Sequence, residues 1–202
     1  MKYKDRERII ERLPYECRVG YVAFCVQRCI DEARRHAAAR EELQRLPLLS
    51  EGLDMLWARA ERGVEPNPAR VDAIRAHLRD YTAADPDQEN EIFNHDVTLV
   101  KAAGELLGGL LLLEDPAALD AYDIAAALEG PENAVSLIYV DWQSAGDAEV
   151  GVIDAALKRL DKSKAKPFSR ECFAGIRDWE RGDVKAEYAE GRLTGTDVDE
   201  ED

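Results

Sequence analysis

The chain of 202 residues holds few side chains whose type and spacing could do chemistry. Cys25 and Cys29 lie one helical turn apart, with Cys17 two turns earlier on roughly the same side, as soft metal ligands might. A zinc site takes about four ligands, however, with a second pair at a distance. Cys172 stands alone, so the cysteines read as small buried hydrophobes, and neither metal nor cofactor is expected. Glu91, His95 and Asp96 could coordinate an ion, but a di-iron bundle needs two Glu-x-x-His motifs and two further glutamates. Here Glu and His are four apart, and the trio reads better as the solvated first turns of a helix, favoured by its dipole. The three histidines, His36, His77 and His95, accompany no glycine-bracketed serine. The segment 104-GELLGG-109 lies inside an apolar helix and lacks the Lys-Ser/Thr of a phosphate loop. Nothing here argues for an enzyme, although only geometry could reveal an acid–base pair among so many carboxylates.

Those carboxylates are the most informative feature. Asp and Glu number 42 against 27 Lys and Arg, for a net charge of -15. That balance excludes nucleic acid as the direct ligand, because phosphates need clustered cations, and it disfavours an anionic membrane surface equally. The excess is also localised. Residues 1–83 carry 16 cations and 14 anions, residues 84–149 carry 15 anions and one cation, and residues 150–202 carry 10 cations and 13 anions. Between Lys101 and Lys158 there is no cation at all. Such a surface aids solubility, and it also attracts a basic protein and speeds encounter with it. Within it Asp115, Asp120, Asp123, Glu129, Glu132, Asp141, Asp147 and Glu149 punctuate the helices, and Tyr122, Tyr139 and Trp142 interleave with them. Aromatics set among charges are typical anchors of an interface, so Tyr122 and Trp142 join the eight carboxylates as the expected partner-binding set. Tyr139 and Trp142 have a plainer reading too, facing the core beside Leu137, Ile138 and Val140.

The elements that must position these groups are helices. Ala, Leu, Glu and Arg dominate, alternating strand patterns are missing, and 46% hydrophobic residues suffice for one core. A short helix over 3–13 stops at Pro14. From 15 to about 36, Val19, Val22, Ala23, Val26, Ile30 and Ala33 recur at three- and four-residue spacing, widened by Tyr21, Phe24, Cys25 and Cys29. Residues 37–46 either continue that helix or begin another, which Pro47 ends. Leu53, Leu56, Trp57 and Ala60 mark the next helix, closed by Gly63, and Asn67-Pro68 opens one carrying Val71, Ile74, His77 and Leu78. The most apolar helix spans roughly 89–113; its Gly104, Gly108 and Gly109 would admit a close neighbour or mark a kink. Asp115-Pro116 opens a helix that Gly130-Pro131 closes, and helices over 132–142, 147–160 and 169–181 follow, the last capped by Ser169. The expected fold is therefore an all-α, single-domain bundle of about eight or nine helices over residues 1–182. Residues 183–202, ending in TGTDVDEED, are expected to form a disordered acidic tail.

The order of 21-YVAFCVQRCIDEARRH-36, 53-LDMLWARAERG-63 and 100-VKAAGELLGGLLLL-113 resembles two neighbouring groups of all-helical bacterial proteins. One comprises the helical immunity proteins encoded beside polymorphic or contact-delivered toxins. The other is a helical family of unknown function sharing a VAF-type and an LD-x-x-W-type helix. The resemblance covers residues 15–113 and consists of core patterns, so it carries over no functional residue. It implies a cytosolic protein that binds and neutralises one cognate toxin, and a nuclease toxin with a basic cleft would suit the acidic block. The alternative is a helical regulatory or scaffolding module that homo-oligomerises through its apolar helices. A cytoplasmic location also fits an N-terminus without an apolar signal core, sparse cysteine, and an apolar run, 97–113, that is interrupted by Lys101 and Glu105 and is too short for a ~18–20-residue span.

Overall fold

A computed structural model describes residues 1–36, 39–40, 43–44, 46–82, 97–127, 129–136, 138–139, 142–164 and 166–181. Among them the protein is all-α. Helix α1 covers Tyr3–Glu11, α2 Tyr15–Ala33, α3 Pro47–Arg62, α4 Pro68–Thr82, α5 Val97–Glu114, α6 Ala121–Ala126, α7 Glu129–Ser136 and α8 Trp142–Ser163. A 3-10 turn, Arg170–Phe173, precedes an extended strap over residues 174–181. No helix among the described residues is long and apolar enough to cross a membrane.

Helix α2 is the axis of the bundle. Its Val19, Tyr21, Val22, Cys25, Val26, Cys29 and Ile30 are all buried, on a stripe wide enough to meet α3, α5 and α7 together. The expected apolar positions of α3, Leu53, Leu56, Trp57 and Ala60, close on it, as do Leu99, Ala102, Ala103, Leu106 and Leu110 of α5, while Leu107 is only half-buried. Gly109 permits a close approach, for a Cβ there would lie 2.8 Å from Leu56 and 3.2 Å from Val22. Gly104 faces open space and Gly108 would meet Leu119 only at an ordinary 3.9 Å, so neither serves such a contact. Gly63 ends α3 at a φ of 65°, where a side chain would be strained.

Leu46 is non-helical, so Pro47 separates the preceding segment from α3 and also opens α3 at its first position, where no backbone donor is needed. The second half departs from expectation. Asp115 opens no helix: its carboxylate accepts from the Ala117 N–H (2.9 Å) within a turn. Helix α6 begins later, where Asp120 and Asp123 form a reciprocal capping box. Gly130 and Pro131 close nothing either; both sit buried in the first turn of α7, where a missing N–H costs little. The helix expected over 169–181 shrinks to one 3-10 turn, capped by Ser169, and Gly175 breaks it at a φ of 74°. Among the described residues seven helices therefore run eight residues or more, not quite the eight or nine expected. The expected acidic tail, and the Glu91, His95 and Asp96 trio, lie outside the described residues.

Candidate partner-binding face

The acidic block is folded into two different environments. At one end, α1 lies along α6, and Tyr3 donates its hydroxyl to the Tyr122 carbonyl (2.8 Å). Their rings sit 5.0 Å apart, tilted by 49°. Tyr122 remains 58% exposed, so its ring is fixed at the edge shared with Tyr3 and open elsewhere. Burial pushes the Tyr3 phenol up to about 12, and Tyr122, Glu129, Glu7 and Asp123 add to the rise. The same groups therefore surround one aromatic pair with negative potential.

The capping box holds this edge rigid. Asp123 N–H donates to Asp120 Oδ1 (2.9 Å), and Asp120 N–H donates to Asp123 Oδ2 (3.1 Å). Each carboxylate keeps a free oxygen for other work. The patch continues onto α7 and α8, which cross closely at Gly146. A Cβ on Gly146 would lie 2.6 Å from Ser136 Oγ and 3.6 Å from Glu132. Burial raises the Glu132 pKa first; Arg6 opposes the rise, while Glu129 and Asp147 reinforce it. Arg6 itself is buried beneath, donating to Asp154 (2.7 Å), so it balances charge inside rather than at the surface. Asp123, Glu129 and Asp147 are exposed and Glu132 is half-buried; Asp123 and Glu129 lie near the Tyr3–Tyr122 pair, and Glu132 and Asp147 extend the charge beside Glu129.

The expected set is thus brought together only in part. Asp120, Tyr122, Asp123, Glu129, Glu132 and Asp147 share this end. Asp115 is exposed but spends its carboxylate on its own turn after α5. Glu149 is the clear correction. It is buried, takes two bonds from Arg28 (2.6 and 2.5 Å) and one from Trp179 Nε1 (2.7 Å), and cannot meet a partner. Asp141 and the side chain of Trp142 lie outside the described residues. Tyr139 takes the plainer of its two readings: it is buried and donates its hydroxyl to Glu32. The contribution of α1 was missed, because block-wise charge left residues 1–83 nearly neutral and hid Tyr3 and Glu7 there.

At the other end the strap is tied down by charge. Arg28 also reaches Asp178 (2.8 Å), and Arg181 reaches Glu32 (2.7 Å) and Asp178 (3.1 Å). Arg181 lies over the Trp179 ring at 4.1 Å. Bonds from His36 and Tyr139, with the Arg181 charge, outweigh burial and hold the Glu32 carboxyl below its usual range. Asp178 is likewise held low by Arg28 and Arg181 against burial. Between strap and α8 runs an open groove of about 580 Å3, floored by Gly151, Val152, Ala155 and Ile176. Asp178 and Glu180 also line it.

The cysteines behave as small core residues. Cys17, Cys25 and Cys29 are buried, and burial raises all three thiols. Among the described residues no three His, Cys, Asp or Glu gather as a metal-binding group. Comparison with known protein families, with curated proteins and with solved structures finds no match to this chain.

Proposed function

We propose that this protein is a non-catalytic binding protein that neutralises a basic protein domain through the acidic face around Tyr122. The observation that carries the reading is a half-exposed aromatic ring, fixed by Tyr3 and the capping box and rimmed by Glu7, Asp123 and Glu129. An interface anchor of this kind combines a rigid ring with charges that steer the encounter. The resemblance of residues 15–113 to helical immunity proteins supplies the class of partner: a cognate bacterial toxin, with a nuclease's phosphate-binding cleft offering the complementary charge. Neutralisation by occlusion in the cytosol requires no metal, cofactor or catalytic group of the chain.

The test is purification of the tagged protein from its own host at low and high salt, with identification of what elutes. One stoichiometric partner with a basic domain, weakened by salt, supports neutralisation. Its salt dependence must also weaken on combining Asp123→Asn with Glu129→Gln. Recovery of the protein alone, as a defined oligomer, overturns the reading in favour of self-association.

A further inference from the structure

Nothing in the proposed binding uses the groove between α8 and the strap, and what the groove implies does not rest on that reading. It follows one face of α8, from Ala148 through Gly151, Val152 and Ala155 to Arg159. A helix rises about 1.5 Å per residue, so this face is about 16 Å long. Its floor is apolar and has an empty place, for a Cβ on Gly151 would meet nothing within 4 Å. Beyond Arg159 the same face continues with the exposed Lys158 and Lys162. Asp161 beside them already pairs with Lys164 and Arg12.

The strap runs antiparallel to α8. Ala174 accepts from Arg159 (2.9 Å) at one end, and Trp179 donates to Glu149 (2.7 Å) at the other. The chain therefore passes Arg181 at the Glu149 end of the groove. Next comes Gly182-Asp183, the residue pair of a two-residue hairpin turn with glycine first. Val184, Ala186 and Tyr188 then alternate with Lys185 and Glu187, the period of a strand. Five residues are too few to make a strand alone, but an edge supplies the partner. Residues 197–202 follow with five anions and no cation.

We propose that residues 184–188 fold back beside the strap and fill this groove, carrying the acidic run that follows to the lysine end of α8.

The length agrees, since five extended residues at about 3.3 Å each also span about 16 Å. The register agrees as well. A turn at Gly182-Asp183 sets Val184 opposite Arg181, Lys185 opposite Glu180, Ala186 opposite Trp179 and Tyr188 opposite Arg177. Val184, Ala186 and Tyr188 then share the side of Trp179, whose ring packs toward the bundle on Tyr139. Lys185 gains an ion pair with Glu180, and Tyr188 a cation–π contact with Arg177. Asp178, opposite Glu187, is already turned to Arg28 and Arg181. The Arg177 and Arg181 N–H groups face the new strand, and among the described residues neither has an acceptor. The Trp179 N–H keeps its bond to Asp178 (2.9 Å). Charge completes the fit. The segment leaves the groove at its Arg159 end, so the acidic run meets Lys158 and Lys162 and not Asp147 at the start of α8.

The test is amide hydrogen exchange of the full chain, read residue by residue by NMR. Docked, residues 184–188 exchange at least about tenfold more slowly than the same sequence as a free peptide, at any protein concentration. The Tyr188 ring then shows nuclear Overhauser contacts with Val152 or Ile176 methyl groups. Gly151→Leu fills the empty place in the floor, meets no obstacle there and gains helix propensity, so the bundle stays folded while the segment exchanges at the free rate. Tyr188→Ser alters no described contact of the bundle and does the same. Lys158→Glu with Lys162→Glu speeds the exchange, as does high salt in the wild type. Free-peptide exchange in the wild type overturns the proposal and leaves the groove to a foreign partner. Protection that fades on dilution overturns it in favour of the segment from a second copy. Protection that survives both Gly151→Leu and Tyr188→Ser overturns it by placing the segment elsewhere.

Discussion

Arg28 of α2 forks across Glu149 of α8, its Nε to Oε1 at 2.6 Å and its Nη2 to Oε2 at 2.5 Å. Two parallel bonds of this kind fix orientation as well as distance. Glu149 is about as buried as any carboxylate can be, with its side chain 2% exposed, and Arg28 is little more open at 12%. The same guanidinium bonds Asp178 and the same carboxylate accepts from Trp179, so one pair ties three pieces of chain. A residue that reads from sequence as part of an acidic surface is instead the knot that holds the strap to the bundle.

Glu149→Ala should accordingly act on stability and not on recognition. It leaves Arg28 buried without its main partner, and breaking such a pair costs about 3–5 kcal/mol. Replacing both, Arg28→Met with Glu149→Leu, should recover most of the loss, since two well-packed apolar side chains need no countercharge. Urea unfolding of the two variants beside the wild type measures this. A single-variant loss below about 1 kcal/mol would place the pair in the class of solvated surface bridges.

The strap should also let go in acid. Glu32 and Asp178 are both held below the ordinary carboxylate range, so the unfolded chain binds protons before the folded one does. The stability they contribute is present above about pH 4 and is lost as pH falls through their lowered values. Tryptophan fluorescence between pH 6 and 2 follows it, with Trp179→Phe identifying the strap's share. Arg181→Met removes a cation from both carboxylates and should shift the loss to higher pH. An unchanged acid midpoint in that variant would mean that Arg181 does not hold the strap.

What the sequence makes legible follows from how each segment is stabilised. Helices α2, α3 and α5 bury the periodic positions the spacing marks, because their apolar stripes are long and uninterrupted. Residues 115–140 are rich in Ala, and Asp120 and Asp115 there look alike until tertiary contacts choose the cap. The strap has no periodicity at all. Its conformation is set by pairs such as Arg28 with Asp178, 150 residues apart, and no local pattern reports a pairing at that separation. The candidate face suffers from the same limit, since Tyr3 and Tyr122 meet across 119 residues.

Gly20 supplies a third test, on packing alone. A Cβ there would lie 2.2 Å from Phe168 Cζ and within 3 Å of two further ring atoms. The ring has little room to retreat, with Trp57 stacked at 6.3 Å and Phe173 edge-on at 6.1 Å. Gly20→Ala should therefore cost about 1–3 kcal/mol despite its gain in helix propensity. Adding Phe168→Leu should recover part of that loss, as a smaller side chain makes space. A stabilised Gly20→Ala protein in thermal unfolding would contradict the contact.

The binding face can be separated from its neighbours by splitting rate from affinity. Asp123→Asn keeps an amide oxygen to accept from the Asp120 N–H, so the capping box survives while a charge is removed. With Glu129→Gln it should slow association with the basic partner and flatten its dependence on salt, leaving dissociation nearly unchanged. Tyr122→Ala should do the converse. It removes the exposed ring but no charge, so dissociation should speed with a loss of about 2 kcal/mol while the salt slope stays. Asp115→Asn, whose carboxylate serves its own turn, should alter neither. Stopped-flow association at several salt concentrations with a dissociation chase resolves the three cases. If Asp115→Asn changes the salt slope and the Asp123/Glu129 pair does not, the partner docks elsewhere on the acidic block.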